Sequence, residues 1–448
     1  MLRPTPRLIA WTALIELPAS LAIVVDETWL GPVVAVLGVL GALALLDAVL
    51  AAGRLRGLCL ELPAVTRGTV DRPLALGVRI LSSPEGGLPP LQLSLGSPPG
   101  LESVQEELRV LCPEGETAIR VPWECIPRKR GRLLVREARV GISSPMGFWD
   151  RWIAVPLAAE IRSYPNLLPE RRTLAALFLN RGGVGTHSQR QLGRGREFEK
   201  LREYIPGDGF QEIHWKATAR RGHPMTKVFQ LERTQEVYVV IDASRLSARP
   251  CPGGHGEGAQ PAALEQFITA ALVLCQVAEH QGDLFGMTVF SDRVERFVRA
   301  RNGAAHFQAC RDALYQLEPR EVTPDHDELS TFLRIRLRRR ALLLYLTALD
   351  DPILSESFVR HARLLASQHL LVVCMPRPAG MQPLFDGGSP SSAEGVYERL
   401  AGHLRWQKLR EQAKVLQRLG VQFHLVDHSA LSIDLVTRYL SVKQRQQL

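Results

Sequence analysis

Trp29 to Ala52 is a run of 24 residues with a single charged side chain, Asp47. No other stretch restricts the fold as strongly. A helix of that length in a soluble protein needs a polar stripe, which this run lacks, whereas a bilayer core takes about 20 apolar residues as helix. A second apolar run lies just before it, the 18 residues from Leu8 to Val25, interrupted by Glu16 and Pro18. Only Asp26, Glu27 and Thr28 join the two. The pair predicts a transmembrane helical hairpin within residues 1–56, with a buried helical pair of a soluble domain as the alternative. Each acid in such a span costs about 2.5–3.5 kcal/mol, which the surrounding Leu, Ile and Val offset. Glu16 and Asp47 are therefore expected to face a partner helix or an interface. A signal peptide is the rival for the first run, but no small-x-small cleavage pattern precedes Asp26-Glu27 and a second apolar run follows at once. Arg3 and Arg7 precede the pair and Arg54, Arg56 and Arg67 follow it. Positive flanks at both outer ends place everything after Arg54 in the cytoplasm.

Residues 57–165 change character to short alternating segments: Leu74–Leu81, Leu91–Leu95, Ala118–Trp123 and Leu133–Val140. Pro- and Gly-rich turns separate them. Such spacing, without a helical stretch, predicts an antiparallel β-sandwich. Residues 166–234 read as a connecting helix and loop followed by a charged segment with large apolar anchors.

The last segment, 235–448, alternates strands and helices. Val237–Ile241 is a continuous apolar run of the kind a buried parallel strand needs. A helix over 262–280 follows, then strands near 285–290 and 293–298 and helices near 304–316 and 327–339. Strands at 342–346, 370–374 and 421–426, with helices at 353–367, 394–419 and from 430, complete a doubly wound α/β sheet. Ligands of such sheets bind beyond the carboxyl ends of the strands.

At that edge, Asp242-Ala243-Ser244 resembles the opening of the D-x-S-x-S metal-ion-dependent adhesion site of von Willebrand factor A domains. The resemblance implies Mg²⁺ held by hard oxygen ligands from three loops. Thr323 matches the second-loop Thr, whereas Leu246 stands at the third position of the motif and Ser247 follows one residue late. Ala348 stands where the third-loop Asp belongs, with Asp350 and Asp351 two and three residues further along. Asp242, Ser244, Thr323 and Asp350 are thus the candidate ligands of a degenerate site, with no metal or weakly bound Mg²⁺ expected. The alternative is a metal-dependent hydrolase using Asp242, Asp350 and Asp351.

Within 193–229 the order Gly195, Glu197-Phe198, Leu201-Arg202, Tyr204, Gly207-Asp208, Ile213, Trp215-Lys216 and Ala219-Arg220 resembles the signature of bacterial proteins catalogued as domain of unknown function 58. The chain departs from it at Gln211, where the family has Arg, and at His214, where it often has Asp. The spacing of Phe198, Leu201 and Ile205 predicts a short helix, broken by Pro206-Gly207-Asp208. Trp215 is expected to be buried between domains, within a hydrogen-bonded network of Arg202, Asp208 and Arg220; an exposed binding surface is the alternative. The resemblance implies a bacterial inner-membrane protein, non-enzymatic, that acts as an interaction scaffold with a MoxR-type AAA+ ATPase in assembling or remodelling membrane-associated complexes.

The net charge of +9 and pI near 9.4 favour an acidic partner or anionic lipid. No basic face with interleaved aromatics supports nucleic-acid binding. Seven cysteines are scattered without a CxxC pair, which argues against a disulfide framework or zinc site and suits a reducing cytosol.

Overall fold

A computed structural model describes residues 2–25, 29–53, 58–81, 90–111, 118–180, 192–206, 209–230, 235–251, 262–386 and 392–445. The chain divides into two compact units, Met1–Asn166 and Leu167–Leu448.

The first unit opens with strand β1 (Leu2–Pro4) and helices α1 (Pro6–Val25) and α2 (Leu30–Gly53). Among the described residues one helix, Leu30–Ala51, is long and apolar enough to cross a membrane, with mean hydropathy 2.6. Nine strands follow: β2 (Cys59–Glu61), β3 (Val65–Thr69), β4 (Leu74–Leu81), β5 (Leu91–Leu95), β6 (Leu101–Ser103), β7 (Leu108–Val110), β8 (Ala118–Pro127), β9 (Gly131–Ser143) and β10 (Trp149–Tyr164). They form two sheets, ordered β1-β10-β9-β5-β7, with β3 on β10, and β2-β4-β8-β6. Alternation drives this arrangement. Leu76, Val78 and Ile80 of β4, beside Val121, Trp123 and Cys125 of β8, share one core with Val135, Val140 and Ile142 of β9 in the other sheet. The pairing is antiparallel except between β3 and β10. Arg128, read as part of a charged turn, bridges Glu102 at 2.6 Å and Asp71 at 2.9 Å.

Helix α2 is keyed into this unit by its one charge. Ala44, Asp47 and Ala51 share a face and are buried. The Asp47 carboxylate accepts from Ser144 Oγ at 2.5 Å and from the backbone N–H groups of Met146 at 3.0 Å and Phe148 at 3.2 Å. Trp149 Nε1 donates to the Ala44 carbonyl at 2.8 Å. The receptor is the turn Ser144-Pro145-Met146-Gly147, which Gly147 closes at φ 74°, a conformation glycine adopts without strain. Thr5, just before α1, donates to the Gly147 carbonyl of the same turn at 2.6 Å. Glu16 of α1 is exposed instead.

The second unit begins with α3 (Leu168–Asn180), which places Leu174 in the α/β core. Strand β11 (Leu192–Glu203), helix α4 (Trp215–Arg221) and strand β12 (Met225–Gln230) follow. The helix expected over Phe198, Leu201 and Ile205 is therefore not formed, because β11 pairs antiparallel with β12, Phe198 opposite Phe229 and Leu201 opposite Lys227. Cross-strand pairing outweighs a three-residue periodic match.

The sheet of this unit comprises β13 (Glu236–Asp242), β14 (Leu284–Phe290), β15 (Val294–Arg301), β16 (Leu342–Leu346), β17 (Leu370–Pro376) and β18 (Gln422–Val426). Its helices are α5 (Ala263–His280), α6 (Ala304–Leu314), α7 (His326–Arg336), α8 (Pro352–Ala366), α9 (Ala393–Arg418) and α10 (Leu431–Gln444). The order β15-β14-β13-β16-β17-β18 is 3-2-1-4-5-6 in chain sequence, all parallel but the edge strand β15. Helices α5, α6 and α10 cover one face, and α7, α8 and α9 the other. The direction of winding reverses between β13 and β16, and this switch point is where ligands of such sheets bind.

His326, at the start of α7, is buried between the rings of Phe290 and Phe358, at centroid distances of 5.7 and 5.3 Å. Burial, reinforced by nearby His361, lowers its pKa from 6.5 to about 4, against the opposing pull of Asp325 and Asp327. The unfolded chain binds that proton first, so the stability contributed by neutral His326 is complete above pH 6.5 and is lost as pH falls toward 4. The loss should approach about 1.4 kcal/mol per pH unit in that window. Urea unfolding at pH 7 and pH 5 checks this, and His326→Phe should flatten the difference.

Candidate functional site

Asp242 ends β13 and Thr347 directly follows β16, so the parallel register sets them side by side at the switch point. Thr347 Oγ1 donates to Asp242 Oδ2 at 2.6 Å, and the Ser244 N–H donates to Oδ1 at 2.9 Å. All three residues are fully buried. Burial raises the Asp242 carboxyl above its ordinary range, and the hydrogen bonds from Ser244 and Thr347 oppose that shift. Ser244 Oγ in turn accepts from the Leu246 N–H at 3.3 Å, and Ser247 Oγ donates to the Ser244 carbonyl at 2.8 Å. The late serine thus closes the first loop.

Asp350 is held by Arg249, whose Nη1 lies 2.8 and 2.7 Å from its two carboxylate oxygens. Asp351 caps α8, accepting from the Ile353 N–H at 3.0 Å, with Arg245 at 3.7 Å. The structure therefore brings Asp242 and Ser244 together but engages Asp350 with an arginine of the first loop. Thr323 is exposed on a loop fastened to the first by Arg245 N–H to the Val322 carbonyl at 3.1 Å. Arg320 joins that loop to Asp292 at 2.9 Å, and Ser291 donates to Glu295 at 2.7 Å. A divalent cation needs several convergent, unengaged oxygens. Among the described residues no group of three or more His, Cys, Asp or Glu side chains is placed to hold a metal ion. Asp242 with both oxygens engaged and Asp350 neutralised by Arg249 fit Mg²⁺ poorly, and they fit a metal-dependent hydrolase no better. Thr347 and Arg249 were not among the expected residues. Thr347 was legible in principle, since it follows an apolar strand as Asp242 does.

The signature folds as a hairpin with α4 in its turn. His214 is the N-cap of α4, its Nδ1 accepting from the Ala217 N–H at 3.0 Å, so the imidazole performs the capping that Asp performs elsewhere. Gly222, at φ 74°, ends the helix. Ile213 and Met225 are buried beneath it, and Tyr204 stacks on Phe210 with centroids 6.4 Å apart. Trp215 is 68% exposed, which corrects the expectation that it lies buried between domains. As the first residue of α4 it sits on a helix with no buried side chain. Lys216 and Arg220 are exposed and Arg202 is half-buried. Trp215 is thus not enclosed among the described residues, and Ile213 and Met225 supply the hairpin's inner contacts. Glu197 and Phe198 lie in β11, while Gly207 and Asp208 lie outside the described residues.

Residues 200–382 match the family model described as Protein of unknown function DUF58. The match runs from within β11 past the end of β17, through the exposed hairpin and the switch point. No curated protein matches the chain. Solved structures similar to it include the conserved hypothetical protein BatB from Bacteroides thetaiotaomicron, 15% identical, covering 47% of this chain and 99% of that one with a TM-score of 0.29. An aerotolerance-related membrane protein from Bacteroides fragilis is 14% identical over 45% of this chain and 99% of its own, with a TM-score of 0.27. The SpRpn10 VWA domain is 10% identical, covering 46% of this chain and 95% of that one, also at 0.27. The assignment of a von Willebrand A-like sheet rests on the observed strand order, with its antiparallel edge strand.

Proposed function

We propose that the chain is a membrane-anchored interaction scaffold, not an enzyme, which offers its signature hairpin to a protein partner. The observation that carries this reading is the exposure of three large apolar residues within the signature segment, Ile205 at 56%, Phe210 at 76% and Trp215 at 68%, beside exposed Lys216 and Arg220. Aromatic and basic side chains on one small hairpin are the composition of a binding hot spot. The partner class is the MoxR-type AAA+ ATPase implied by the family resemblance, acting on membrane-associated complexes. The anchor is a two-helix hairpin in a bacterial inner membrane. Thr5 just before α1 and Asp47 near the end of α2 bind the same turn, which supports both ends leaving the bilayer on one side, and the positive flanks make that side the cytoplasmic one. Lipid is thus the second partner, nucleic acid is not one, and Mg²⁺ is at most weakly held.

Capture of partners from detergent-solubilised membranes by the full chain, read by mass spectrometry, tests this. Trp215→Ala and Phe210→Ala should each reduce recovery of an AAA+ ATPase by about 30-fold, the consequence of losing roughly 2 kcal/mol at a hot spot. Urea unfolding should stay within about 1 kcal/mol of wild type, as for exposed positions generally. Undiminished capture, or a Trp215→Ala chain that fails to fold, overturns the reading.

A further inference from the structure

Helix α9 has one face that the described residues do not cover. Its inner side carries Gly402, Leu409 and Leu416, all buried. On the opposite side Val396, Tyr397, Leu400 and Leu404 are exposed, Tyr397 at 73%. Tyr397, Leu400 and Leu404 recur at i, i+3 and i+7, a seam along two helical turns. The helix is not free to roll this seam inward. Gly402 packs directly on the backbone carbonyl of Gly380, where any side chain would collide. The packing that orients α9 therefore also keeps the seam outward.

We propose that this seam pairs with the same seam of a second copy of the chain, the two α9 helices running antiparallel about a two-fold axis near Ala401. The charges bordering the seam select this occupant. Near the amino end of α9 stands Glu394 and near its middle Lys408, both exposed and on the same flank of the seam. Antiparallel pairing about Ala401 sets Glu394 of each copy beside Lys408 of the other, so one asymmetric helix becomes complementary to itself. The same pairing brings exposed Glu411, which lies on the seam, to the amino terminus of the opposing α9, where unpaired N–H groups favour a carboxylate. A parallel pair would carry the flank of Glu394 and Lys408 to opposite sides of the two helices, so that neither charge would meet its complement. An anionic bilayer would meet Glu411 within the apolar stripe, a carboxylate on the surface that it covers.

Cysteine cross-linking of the full chain in membranes, followed by non-reducing electrophoresis, tests the pairing. Leu400→Cys and Ala401→Cys should each give a disulfide-linked dimer on mild oxidation, several-fold above wild type, which controls for exposed Cys59. Lys414→Cys should not, since in this geometry it lies about 40 Å from its counterpart. Glu394→Lys and Lys408→Glu should each weaken the Ala401→Cys cross-link, and the two together should restore it. Light scattering of the detergent-solubilised chain should report a dimer for wild type and a monomer for Leu400→Glu/Leu404→Glu, with melting temperature confirming that the variant folds. The proposal is overturned if neither cysteine at the seam cross-links above Lys414→Cys. Failure of the charge swap to restore the link, or a seam shielded by lipid or by another segment of the same chain, overturns it equally.

Discussion

Asp47→Ala is expected to lower the melting temperature of the first unit, in the detergent-solubilised full chain, by about 10 °C. The carboxylate is buried and receives one hydroxyl and two backbone N–H groups. Deleting it leaves those three donors without an acceptor, each at about 1–3 kcal/mol, so a total of roughly 3–5 kcal/mol follows after partial relaxation. Asp47→Asn keeps one acceptor oxygen and should cost about half as much. Glu16→Ala, at the exposed acid of the neighbouring helix, is the control and should leave the transition within roughly 1–2 °C of wild type. Differential scanning fluorimetry on the three variants suffices. Equal melting of Asp47→Ala and wild type would mean that α2 is not fastened to the sandwich.

An effect of similar size is expected at the far end of the α/β sheet, where Asp283 precedes β14. Its buried carboxylate accepts from Tyr439 Oη, from Lys443 Nζ at 2.8 Å and from the Gln235 N–H at 3.1 Å. Through it the last helix, α10, is tied to the entry of the adjacent strands β13 and β14. Burial, together with the neighbouring Asp283 charge, pushes the Tyr439 hydroxyl well above its ordinary range, so it remains a donor throughout the accessible pH scale. Asp283→Ala removes the acceptor, leaves a buried hydroxyl unpaired and leaves a partly buried ammonium with only the Gln281 carbonyl, at a cost of about 3–5 kcal/mol. Lys443→Met, which removes the cation but retains its stem, should cost about 1–2 kcal/mol less, since Tyr439 and Gln235 still bind the carboxylate. Urea unfolding of the full chain, followed by tryptophan fluorescence and by far-ultraviolet circular dichroism, would resolve the difference. If Lys443→Met destabilises as much as Asp283→Ala, the ion pair and not the carboxylate's hydrogen bonds holds α10.

The elements of the α/β unit were legible because buried parallel strands are nearly pure aliphatic runs and their crossover helices carry a period of 3.6. Val237–Ile241 and Leu342–Leu346 have the length and unbroken apolar character of such strands. The hairpin β11–β12 was not legible in the same way. Phe198, Leu201 and Ile205 satisfy a helical period by chance, and the partner strand that decides the matter lies some two dozen residues away. Burial of Trp215 failed for a related reason, since a large aromatic residue in a charged segment serves equally as a core anchor or as an exposed contact. At the rim, the letters of the adhesion motif pointed to Asp242 and Ser244, which the fold sets side by side, but did not disclose what engages them. Thr347 and Arg249 act through spatial adjacency, which the linear spacing does not encode. Asp47 was marked by its cost in an apolar run, and only its receptor, the turn at 144–148, required the fold.

The pairing of β1 with β10 sets an order of events during synthesis. Leu2, Arg3 and Pro4 stand opposite Arg151, Asp150 and Trp149. Residues 2–4 thus wait for a partner strand made almost a hundred and fifty residues later. At roughly 5–20 residues per second the delay is on the order of ten seconds. During that interval both apolar helices have already emerged, and Asp47 has no turn to receive it. With the anchor proposed above, completion of the sandwich follows membrane engagement, and a ribosome stalled before Trp149 should hold a chain whose helices have emerged and whose first unit is still open.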